Sequence, residues 1–136
     1  MENIRSITPN LQQAWLEDRS IVWFKLYGSA RDTLDDWYNV VTETVKEWDP
    51  ANPLLIINDM RNSAITAHGQ NRAKELAEQI ADRRGRVAFV IKEEFLAPML
   101  NMFINRRLQD EASNIEYRDF IDMDAAVQWL NELAKV

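Results

Sequence analysis

The chain has 136 residues, a formal net charge of −6 and no cysteine. That length suits one domain able to bury a single real core, and the missing cysteine excludes disulfides, thiol catalysis and zinc–thiolate sites. The negative balance disfavours a nucleic-acid partner or an anionic membrane held by broad electrostatics, because phosphates must be met by clustered lysine and arginine.

Hydrophobic residues make up 46% and charged residues 28%, as in an ordinary soluble globular domain. No basic segment followed by an apolar run opens the chain, so a secretory leader is not visible. No stretch approaches eighteen apolar residues. A cytoplasmic, bacterial-style protein is the default expectation.

In chain order, Leu11–Glu17 and Ser20–Tyr27 read as two strands joined at Asp18-Arg19, a hairpin, with an extra short strand open at Ile4–Ile7. Leu34, Trp37, Val41, Thr44, Val45 and Trp48 recur at three- and four-residue steps, the stripe of an amphipathic helix. Asp32 or Thr33 is the expected cap, and Asp49-Pro50 the stop. Leu54-Leu55-Ile56-Ile57 predicts a central strand buried on both faces, followed by a loop over 60–65 and a helix from about Thr66 to Arg83. Arg86–Ile91 predicts a second buried strand, with Gly85 at the exit of the preceding helix. A helix to about Leu108 carries Pro98 in its first turn. Ile115–Ile121 alternates like an edge strand, and a last helix starts after Asp122 or Asp124. Strands joined by helices demand parallel pairing and right-handed crossovers. The expected fold is therefore α/β: a mixed, mostly parallel sheet of about five strands, its N-terminal hairpin strand antiparallel, with about four helices in one domain over 1–136.

Catalytic motifs are missing. His68 is the only histidine, so a catalytic triad or a His-based metal site is essentially excluded; no catalytic residue, metal ligand or cofactor is assigned. No GxGxxG or Walker loop occurs. The acidic pairs Asp35-Asp36, Asp110-Glu111 and Asp122/Asp124 lie near helix ends, which suits their charge or their capping ability. The basic clusters Arg83-Arg84-Gly85-Arg86 and Arg106-Arg107 read as solvated helix ends.

Two features stand out. The first is the connection after the central strand, where function gathers in open α/β sheets. It offers Asp59, Arg61, Ser63 and Thr66 to solvent, Asp59 and Arg61 as contact residues and Ser63 and Thr66 beside a helix N-terminus that suits an anion or phosphate. The plain alternative is that Ser63 or Thr66 caps the helix. The second is the helix after Lys92, where Phe95, Leu96, Met99, Met102, Phe103 and Ile104 spread over more than one face. Such a helix is buried more deeply, or forms a dimer face or an apolar ligand groove.

Tyr27-Gly28 before a helix, Leu54–Asp59 before a polar loop and helix, Arg86–Val90, and the ending Tyr117–Leu130 together resemble the STAS superfamily, and more closely the SpoIIAA-like proteins grouped with STAS/SEC14-type domains. The likeness runs over nearly the whole chain from Leu11. It implies a non-enzymatic regulatory or interaction domain, meeting a partner protein, a membrane surface or a small apolar molecule. In the anti-sigma-factor-antagonist branch, the resemblance implies a phosphorylation switch, here at Ser63 or Thr66, although the usual Asp-Ser-Ser-Gly style sequence is missing. An enzyme working through Asp59, Arg61 and His68 is the remaining alternative. A homodimer is open, isologous pairs being the commonest assembly.

Overall fold

The computed structural model describes residues 3–95 and 113–134. Six strands form one sheet in sequence order: β1 (Arg5–Thr8), β2 (Leu11–Leu16), β3 (Ile21–Tyr27), β4 (Leu54–Asn62), β5 (Gly85–Val90) and β6 (Ile115–Phe120). β1 to β3 pair antiparallel; β3 to β6 pair parallel. Three α-helices are described: α1 (Arg31–Lys46), α2 (Ala67–Ile80) and α3 (Met123–Ala134). The α/β class and the mostly parallel sheet agree with the sequence reading. The strand count is six rather than five, because the short segment before Pro9 pairs with β2. The fourth expected helix lies outside the described residues.

Two apolar layers flank the sheet because strand side chains alternate between faces. On one face Phe24, Leu26, Ile56 and Phe89 pack against Leu34, Trp37 and Val41 of α1 and Ala73, Leu76 and Ile80 of α2. On the other, Trp23, Leu55, Ile57 and Val90 pack against Ala126, Trp129 and Leu130 of α3. Each large side chain buried here contributes about 1.5–3 kcal/mol. The four aliphatic residues of β4 serve both layers, which is why no polar position interrupts them.

Several local expectations change. α1 begins two or three residues earlier: Ala30 occupies the cap position, no side chain caps it, and Thr33 is buried. β4 runs on to Asn62, so the predicted loop over 60–65 shrinks to 63–66; ladder pairing with β3 carries the chain past its polar residues. Gly85 belongs to β5, not to a helix exit. Arg86 is not a solvated helix end: it donates to the Trp129 carbonyl (2.7 Å), pairs with Glu116 and Glu132, and lies over the Trp129 ring.

Candidate functional site

The carboxyl end of β4 carries two consecutive polar residues, and the strand period sends them to opposite faces. Asn58 is buried and accepts a hydrogen bond from the Trp37 indole N–H (3.0 Å). Asp59, 0% exposed, accepts from the Trp23 indole N–H (3.4 Å) on the other side. Each buried side chain thus meets an indole donor, as burial of a polar group requires. Arg61 grips Asp59 with both prongs, Nε to Oδ1 (2.9 Å) and Nη2 to Oδ2 (2.7 Å), and Lys25 stands 3.9 Å away. Burial pushes the Asp59 carboxyl up, but the Arg61 side-chain and backbone hydrogen bonds, with the charges of Arg61 and Lys25, outweigh it and hold the group below its ordinary value. This carboxylate is fully engaged and serves as an internal tie.

On the α1–α2 face, an apolar pocket lies between the ends of β3, β4 and β5 and the first turns of the two helices. Leu26, Leu34, Trp37, Met60, Ile65 and Phe89 form its wall, and Thr66, Gly69 and Gln70 complete it from the start of α2. Its volume is about 20 Å³, room for one water and no more. Thr66 caps α2, accepting the Gly69 N–H (3.1 Å). Gly69 has a reason to lack a side chain. A Cβ there would stand 3.3 Å from Thr66 Oγ1 and 3.4 Å from Leu34 Cδ1, both pocket walls.

Beside the pocket, His68 Nε2 meets Asp35 Oδ1 (2.7 Å), and Arg72 Nε donates to the same oxygen (2.8 Å). The His68 contact, then Arg72, hold the Asp35 carboxyl below its ordinary range. Arg72 also lies over the Tyr38 ring (4.6 Å). These contacts tie the first turns of α1 and α2 together at one side of the pocket.

The predicted site residues therefore separate. Asp59 and Arg61 are joined to each other, but Asp59 is buried, not offered to solvent as the sequence reading had it. His68 lies on the opposite face of the sheet from Asp59, so the proposed Asp59–Arg61–His68 grouping is not assembled. Ser63 is buried, correcting its expected exposure, and its hydroxyl points to the Ala64 carbonyl (3.4 Å). Thr66 takes the capping alternative. Phe95 closes a short 3₁₀ turn (Glu93–Phe95) and packs against the α1–α2 core layer. Leu96, Met99, Met102, Phe103 and Ile104 lie outside the described residues, as do Arg106, Arg107, Asp110 and Glu111. Trp23, Lys25 and Trp37 were missed. An Asn-Asp pair closing an aliphatic strand was the available signal, since both must find partners when buried. Among the described residues, no group of three or more His, Asp or Glu side chains is placed to hold a metal ion. No helix among them is long and apolar enough to cross a membrane.

No protein-family model matches the chain, and no curated protein is similar to it in sequence. Among solved structures it is similar to that of an uncharacterized protein of the DUF3478 family with a SpoIIAA-like fold from Shewanella loihica PV-4. The match has a TM-score of 0.61 and covers 94% of this chain and 99% of that one, at 15% identity. The chain has a SpoIIAA-like fold.

Proposed function

We propose that this SpoIIAA-like domain is a non-catalytic regulatory or interaction module that takes a small apolar ligand in the pocket between β3, β4, β5 and the starts of α1 and α2. The observation that carries the reading is the pocket's wall of six large apolar side chains, three of them, Leu26, Met60 and Phe89, near the carboxyl ends of the parallel strands, the place where such sheets hold ligands. Gly69 supports it, because the position nearest two pocket walls is the one without a side chain. The closed pocket is small, so binding selects an opened state in which Met60 and Ile65, both only partly buried, move aside. The start of α2 beside it suits a ligand with a negative end.

Decanoate, with an apolar chain and a carboxylate, is a fitting probe. Gly69→Ala places a methyl group 3.3 Å from Thr66 Oγ1 and 3.4 Å from Leu34, in the wall of the pocket. The variant should keep a cooperative melt and bind decanoate about tenfold more weakly by calorimetry, the effect of one methyl group in an apolar site. Equal affinities would remove the pocket from consideration.

A further inference from the structure

At the opposite end of the sheet, a groove of about 1080 Å³ runs between the β2–β3 turn and the carboxyl-terminal half of α1. That is at the upper limit of ligand sites, which span about 300–1,000 Å³. Its aromatic wall is a pair of tryptophans, Trp15 and Trp48, with ring centroids 5.5 Å apart and planes tilted by 32°. The Trp48 indole N–H donates to the Pro53 carbonyl (3.1 Å), which fixes that ring. Over the Trp15 ring, at 4.6 Å, sits the guanidinium of Arg19. The face thus already holds a cation, by attraction between the positive charge and the ring's negative face.

How Arg19 is carried there matters. Glu17, Asp18 and Arg19 have φ of 51°, 56° and 67°, three successive non-glycine residues in the left-handed region. Asp18 and Arg19 are the central residues of the tight β2–β3 turn, closed by the Ser20 N–H donating to the Glu17 carbonyl (3.1 Å), and such hairpin turns require positive φ at both. The charges lining the groove are also unequal. Asp18, Glu43, Glu47 and Asp49 contribute carboxylates, against the guanidiniums of Arg5 and Arg19. Arg5 is engaged with Gln13 Oε1 (2.7 Å), and Arg19 with Trp15. The carboxylates of Glu43 on α1 and Glu47 just past its end stand exposed.

We propose that this groove is a binding site for an organic cation, a guanidinium or alkylammonium group that lies against the Trp15–Trp48 pair and faces Glu43 and Glu47, displacing Arg19. The cation belongs either to a basic peptide segment or to a free small molecule; the chemistry recognised is the same. This site is independent of the apolar pocket, with no lining residue in common.

The test is a titration of the full chain at low salt with agmatine and, separately, with the peptide Ala-Arg-Ala-Arg-Ala, read from the Trp15 and Trp48 indole N–H resonances. Saturable shifts with either probe support the site. Shifts with the peptide alone assign a macromolecular source, and with agmatine alone a free cation. Arg19→Gly removes the resident guanidinium and relaxes a φ of 67°, so it should melt higher and bind about fivefold more tightly. Glu43→Gln with Glu47→Gln should weaken binding about fivefold without unfolding the chain, both residues being exposed. No shift with either probe overturns the proposal, and so does binding that ignores both sets of substitutions.

Discussion

Gly85→Ala is expected to cost roughly 4–5 kcal/mol, at the far end of what single substitutions do. Gly85 opens β5 and pairs with Leu54 of β4 on one side and Ile115 of β6 on the other. A Cβ at this position would stand 2.1 Å from the Leu54 carbonyl oxygen and 2.8 Å from both the Leu54 N and Cβ. The offending atoms include backbone, which no rotamer change can move. Leu54 is itself fixed by its N–H bond to the Arg84 carbonyl (2.9 Å) and by full burial. Relief therefore means separating β4 from β5 where the two strands begin. For a domain of this size the loss corresponds to a fall of roughly 10–20 °C in melting temperature. A thermal melt within two or three degrees of the parent, about the effect of 1 kcal/mol, would show that the strands do not approach as closely as described.

Arg61→Ala is expected to cost roughly 3 kcal/mol at neutral pH, because it leaves a buried carboxylate without its main partner. Asp59 is wholly buried, and after the substitution only the backbone N–H of residue 61 (3.3 Å), Lys25 at 3.9 Å and the Trp23 indole remain to it. Arg61 itself is 40% exposed, so the penalty falls on Asp59 and not on the guanidinium. The pH dependence identifies the cause. In the parent, the folded carboxyl lies below its ordinary value of 3.8, so its contribution is complete above that value and is lost as pH falls through the folded pKa. In the variant the unpaired carboxyl is pushed up by burial, and protonation relieves it. The difference between parent and variant should therefore shrink on going from pH 7 to pH 4 in urea titrations. A difference that stays constant with pH would mean that Arg61 stabilises by packing rather than by charge.

Period and punctuation in the sequence carry most of the fold. The Leu54–Ile57 run, the Leu34–Val45 stripe and the Ala126–Leu130 ending identify a central strand and two helices correctly. What they do not carry is where a strand stops when pairing outlasts its apolar residues. β4 continues through Asn58, Asp59, Met60, Arg61 and Asn62 because the ladder and two indole donors satisfy the polar groups there. No local pattern signals this, since the donors come from Trp23 and Trp37, 36 and 21 residues away. The same limit hides the role of Gly85, where the need for glycine lies in a strand far along the chain. Of the candidate site, Thr66 and the start of α2 were legible from capping chemistry. The pocket wall was not, because Leu26, Trp37, Met60 and Phe89 belong to four separate elements and read locally as core.

The most direct measurement is an amide ¹H–¹⁵N titration of the full chain with decanoate. Shifts centred on Leu26, Thr66, Gly69 and Gln70, with Trp15 and Trp48 unmoved, are the expected result. A spectrum that does not change, or shifts confined to the groove beside Trp15 and Trp48, would contradict an apolar ligand site at the carboxyl ends of the strands.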